Sequence, residues 1–202
     1  MKKIVIFVII LFFISRNVYA PPPGKEIDPD WPCIQVLIKE LSWGSIWTGP
    51  PLDDNSLKWK DDEKLVSLAK KIMNKKTKEE QGIAELKKYI DKNNSSSELT
   101  KLFHALFDTT NDIWRIRINK LINFGKKQRL TSEKIADKLV RIKELSKEYE
   151  KNKDEIEKLE QEQFWDVRRF EDRRSISDSL CEQPRFYEKR LGVYANLILD
   201  NI

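Results

Sequence analysis

Histidine occurs once in this 202-residue chain and cysteine twice. These scarcities exclude several chemistries. The lone His104 sits in Leu102-Phe103-His104-Ala105-Leu106-Phe107, where a half-buried packing residue is expected rather than a catalyst. No Cys-x-x-Cys offers redox exchange or haem attachment, and neither cysteine has a second metal ligand at short spacing. Glycine, at six, forms no phosphate-cradling loop, and no serine stands in a Gly-x-Ser-x-Gly turn. Asp108-Thr-Thr-Asn-Asp112 lacks the glycine and terminal glutamate of a calcium loop. Acidic pairs such as Glu148/Glu150 lie among lysines at helical spacing and read as a solvated face. The expectation is a protein that is not an enzyme, with no cofactor and no metal.

Long hydrophobic runs are also rare. Ile4–Ile14 is an unbroken apolar stretch of 11 residues behind Lys2 and Lys3, followed by Val18-Tyr19-Ala20. This is the pattern of an export signal over 1–20. It is shorter than the roughly 20 residues a spanning helix needs. Pro21 directly after the expected cut disfavours cleavage, so a tethered form is the alternative, and membrane contact is expected only if the signal stays uncleaved. Lys2, Lys3 and Arg16 account for three of the 38 basic residues, leaving 35 against 33 acidic ones. A nearly neutral mature chain loses the main support for nucleic-acid binding.

What remains is charge interspersed with helical apolar spacing, which predicts an elongated all-α body. Residues 21–59 read as a Pro/Trp-rich irregular arm and 60–202 as a single helical domain. Four of the six tryptophans lie between 31 and 59. Large anchors suit an irregular segment laid across helices. The alternative is a ligand or partner surface formed by Trp31, Trp43 and Trp47. Two short helices follow, Asp61–Asn74 and one opened by a capping box at Thr77-Lys-Glu-Glu80. Asn93 and Asn94 head Asn-x-Ser sequons, relevant only to eukaryotic secretion.

Ser95-Ser-Ser-Glu98 forms a second capping box, opening a helix whose apolar stripe runs from Leu99 to Ile122, with a kink allowed near Thr109–Asn111. Gly125 is expected to end it, with Lys126–Leu130 as a turn. Thr131 then caps a second helix to Arg174, its seam marked by Ile142, Leu145, Tyr149, Ile156 and Leu159. That stretch has no Gly or Pro and balances 13 acidic against 12 basic side chains. A short turn between long helices implies antiparallel neighbours, hence a coiled-coil-like hairpin over about 97–174. Asn152 interrupts the seam, either fixing the register of a dimer or marking a wet position. Pro184 is expected to interrupt the chain before a final helix at about 185–200. Arg168, Arg169, Arg173 and Arg174 offer either an anion-binding surface or local ion pairs with Glu162, Asp166, Glu171 and Asp172.

Cys33 and Cys181, exported to an oxidising compartment, are expected to pair, closing a loop of about 148 residues. Two free buried thiols are the alternative. Through Asp28-Pro-Asp-Trp-Pro-Cys33, Gly49-Pro-Pro-Leu52, Leu102-Phe-His-Ala-Leu-Phe-Asp108 and Leu180-Cys-Glu-Gln-Pro184, the chain resembles a family of uncharacterised secreted alphaproteobacterial proteins. The resemblance implies a periplasmic address and a paired cysteine, and no activity. The function expected is a periplasmic interaction or assembly protein whose partner is another envelope protein. The alternative is a binding module for a small or lipidic ligand at the Trp-rich arm.

Overall fold

The structure, a computed structural model, describes residues 28–202. The expected signal and the proline lead-in lie outside the described residues. The described chain is all-α, with no strand among its elements. A 3-10 turn at Trp43–Ser45 precedes α1 (Asp54–Leu57), α2 (Glu63–Ile72), α3 (Glu79–Ile90), α4 (Ser96–Leu145), α5 (Tyr149–Ser175) and α6 (Ser177–Leu199).

Local chemistry explains the helix starts. The Asp62 carboxylate accepts from the amides of Lys64 and Leu65, capping α2. Ser95 Oγ accepts from Glu98 N at 3.2 Å, capping α4. The α3 box is displaced by one residue from the expected site. Lys78 is the N-cap and Gln81 closes back on its amide, while Thr77 Oγ1 donates to Lys71 O instead.

A helical hairpin organises the chain, but its turn is not where Gly125 placed it. α4 continues through Gly125 for 50 residues, about 75 Å at 1.5 Å per residue. A helical glycine costs about 1 kcal/mol relative to alanine, too little to stop a helix that packing holds. Here the missing side chain has a use, since a Cβ on Gly125 would strike the Asp30 carbonyl oxygen and lie 3.2 Å from Pro32 Cδ. Gly125 is the position where the N-terminal arm crosses α4. Thr131 caps nothing; its Oγ1 donates to Lys127 O within the same helix, and Leu130, expected to end the turn, is an exposed helical residue. Thr109–Asn111 is uninterrupted helix too.

The chain reverses at Ser146–Glu148, inside the stretch expected to be one rod. Asn152 sits at this reversal. Its Nδ2 donates to the carbonyls of Leu145 and Glu148, both at 3.1 Å, satisfying acceptors that the end of α4 leaves open. α5 and α6 then return along α4, broken only at Ile176. Arg141 meets Glu155, Lys138 meets Glu162 and Asp166, Gln128 meets the Phe170 carbonyl, and Arg117 meets Gln183. Each step forward on α4 is a step back on the returning arm. Pro184 lies buried inside α6 without ending it. It lacks one donor, a cost offset here by burial at the packed end of the molecule.

The core fills the open end of the hairpin. Leu65, Ile72, Leu86, Leu102, Phe103 and Leu191 are fully buried there between α2, α3, α4 and α6. Tyr194 fills the space that Gly82 leaves open between α3 and α6. Arg190, also buried, donates to the carbonyls of Ile72, Asn74 and Thr77 at 2.9–3.2 Å. A cation belongs there, because the end of α2 presents unpaired carbonyls at its negative pole. Beyond Gly125 the two arms bury little besides Leu145 and Ile156, so this half of the hairpin is a thin two-helix extension.

Candidate interaction surfaces

The N-terminal arm runs antiparallel along α4 from its middle to its start. Asp30 pairs with Arg129 at 2.8 Å. Further along, the Trp114 indole N–H donates to Ile38 O at 2.9 Å and Leu41 N donates to Asn111 Oδ1 at 2.9 Å. Trp47 stacks on Phe103 with ring centroids 4.1 Å apart, and Asn55 reaches Ser97. Cys33 and Cys181 are joined, with their Cα atoms 5.7 Å apart, fixing this arm to α6.

The three tryptophans offered as a ligand surface do not form one. Trp47 is buried in the core and its N–H donates to Pro50 O. Trp31 is half-buried, its N–H donating to Gln35 O at 2.6 Å. Trp43 alone remains largely exposed. The physical reason is simple: an irregular arm without a continuous apolar face is held by inserting its largest side chains between helices. Ile34, Val36 and Ile38 instead alternate outward.

His104 is buried on α4, with Nε2 3.5 Å from Asp108 Oδ1 one turn later. Asp108 also accepts the Trp59 indole N–H at 2.9 Å. Burial alone would raise the Asp108 pKa, but the hydrogen bonds from His104 and Trp59 outweigh it and hold the carboxyl below the usual aspartate value. The group ties the Trp59 turn to α4. The His-x-x-x-Asp spacing can be read in the sequence; the third member, Trp59, lies 49 residues before Asp108, and nothing local marks the contact.

The hairpin extension presents the other surface. Phe164 and Trp165 stand edge to face at 5.3 Å and are 62% and 52% exposed. At the same height α4 presents Leu139 and Val140, 52% and 63% exposed. Lys138 bridges the two helices there through Glu162 at 3.0 Å and Asp166 at 2.8 Å. The hydrogen bond from Lys138 leads the causes that hold the Asp166 carboxyl below its ordinary value. Of the arginine group, Arg169 pairs with Asp166 at 2.6 Å and Arg168 with Asp172 at 3.5 Å. Arg173 and Arg174 are exposed, and among the described residues no carboxylate lies within ion-pair distance of either. The structure thus separates the two expected readings: local ion pairs account for Arg168 and Arg169 and leave Arg173 and Arg174 open.

Comparison with protein-family models, with curated proteins and with solved structures finds no match to this chain. Among the described residues no group of His, Cys, Asp and Glu is placed to hold a metal ion, and no helix is long and apolar enough to cross a membrane.

Proposed function

We propose that this is a non-enzymatic periplasmic interaction or assembly protein whose contact surface is the outer half of the helical hairpin, read as a short coiled-coil-like arm. The observation that carries this reading is the solvent-facing Phe164–Trp165 pair on a narrow projection with almost no core of its own. Aromatic and arginine side chains are over-represented where partner binding energy concentrates. Arg168 and Arg169 lie one helical turn beyond Phe164 and Trp165. The occupant proposed is another envelope protein. The sequence pattern over 1–20 and the Cys33–Cys181 bridge support the exported address, as does the resemblance to secreted alphaproteobacterial proteins.

The test is site-specific photo-crosslinking in cells of the source envelope. A crosslinker at Trp165 is expected to give one discrete adduct, lost when Phe164 is replaced by alanine. A crosslinker at Glu63, an exposed residue at the start of α2, is expected to give none. Adducts of equal yield from both positions, or none from Trp165, would remove the basis of the proposal.

A further inference from the structure

A second surface lies at the opposite end of the molecule. An open groove of 790 Å³ runs between the end of α2, the middle of α4 and Tyr187 of α6. That volume falls within the range of small-molecule sites, about 300–1,000 Å³. Ile113 and Ile116 supply its accessible apolar wall, with buried Met73 and the nearly buried Tyr187 ring behind them. Lys70, Lys75, Lys76, Arg117 and Lys120 supply cations to it. Among the described residues none of these five lies within ion-pair distance of a carboxylate. Asp112 is the groove's one carboxylate, and it is already paired with Arg115, which lies outside.

Arg117 is the fixed member of this set. Its Nη1 donates to Gln183 Oε1 at 2.7 Å, and its guanidinium lies 5.8 Å from the centroid of the Tyr187 ring. Neutral partners hold the group in place without cancelling its charge, and a guanidinium has five N–H donors, so several stay free. The lysines are flexible and strongly hydrated, and by themselves would read as a solvated rim. A positioned arginine beside apolar wall and an uncompensated cationic rim is a different arrangement. Apolar surface favours a hydrocarbon portion, and the unmatched positive charge favours an anionic head.

We propose that this groove binds a monomeric amphiphile with an anionic head group and a single apolar chain, the head on Arg117 and Lys120 and the chain along Ile113 and Ile116. The site shares no residue with the hairpin surface, so it stands whether or not that surface binds a partner.

The experiment is calorimetric titration of the oxidised mature protein, below micellar concentration, with three amphiphiles of one chain length. These are dodecyl phosphate, dodecyl maltoside and dodecyltrimethylammonium, with inorganic phosphate as a fourth ligand. Dodecyl phosphate is expected to bind at one site and to weaken with added salt, as exposed charge pairing does. The maltoside and ammonium compounds are expected to bind at least ten-fold more weakly, and inorganic phosphate likewise. R117Q is expected to weaken dodecyl phosphate by roughly ten-fold or more, the usual loss of a charged hydrogen-bonding group. Because Arg117 also touches Gln183 and Tyr187, two further variants at exposed positions, I116E and K120E, carry the same expectation without a structural role. K158Q, an exposed lysine on α5, is expected to leave affinity unchanged. Equal binding of all three head groups, phosphate as tight as its dodecyl ester, or unchanged affinity in K120E and I116E would each overturn the assignment.

Discussion

Replacing Gly125 by alanine tests how the N-terminal arm docks, and the same change at Gly192 supplies the reference. Both glycines lie inside helices, in α4 and α6. There alanine is favoured over glycine by about 1 kcal/mol. A Cβ at Gly192 meets nothing within 4 Å, so G192A should keep that gain. For a chain of this size it corresponds to a rise in Tm of about 2–4 °C. A Cβ at Gly125 collides with the Asp30 carbonyl oxygen and comes within 2.9 Å of its carbon. The obstacle is backbone, and it is pinned nearby by the Cys33 bridge and by the 2.8 Å Arg129–Asp30 pair. Overpacking of this kind costs about 1–3 kcal/mol. The helix term cancels between the variants, so G125A should fall below G192A in stability by about 1–3 kcal/mol. Urea unfolding followed by circular dichroism measures the difference. The same pair should then be compared in a C33S/C181S background. With the arm free to retreat, the gap should narrow, whereas a glycine required by a left-handed helix end would keep its penalty. A G125A midpoint raised as far as that of G192A in the oxidised protein would refute the docking argument.

Reducing Cys33–Cys181 frees a loop of 148 residues, and should lower stability by up to about 5 kcal/mol in the loop-entropy picture; an unchanged urea midpoint in reductant would refute it. N152A removes the side-chain donor to Leu145 O and Glu148 O, and should cost about 1 kcal/mol at the hairpin turn. Amide exchange should quicken around 142–156 and stay unchanged around Phe103; protection lost evenly across the protein would contradict the assignment. Because the Asp108 carboxyl is held below its ordinary value, its contribution to stability should be present above pH of about 4 and be lost as pH falls through the lowered value. D108N should therefore be less stable than the parent at neutral pH and converge with it in acid; parallel Tm-against-pH curves would rule that linkage out.

Sequence alone determined the helical class and the capping Ser95, and it favoured the pairing of Cys33 with Cys181. The first two are local patterns, and the third follows from a count of two cysteines in an oxidising compartment. The seam of Ile142, Leu145, Tyr149, Ile156 and Leu159, read on one helix, is split by the reversal, with Leu145 and Ile156 buried from opposite arms and Tyr149 exposed. Only the tertiary structure decided where the hairpin reverses. Gly125 and Pro184 are the residues that local rules read as stops, yet their costs are about 1 and 3 kcal/mol, within reach of what a packed helix recovers. The real reversal at Ser146–Glu148 contains neither Gly nor Pro, so nothing local marks it, and Asn152 secures it from four residues away. The fate of the tryptophans was hidden for a related reason. Burial of Trp47 against Phe103, and the joining of Trp59 to Asp108, depend on which helix the arm lies along, and that is set by contacts 49 or more residues apart in the chain.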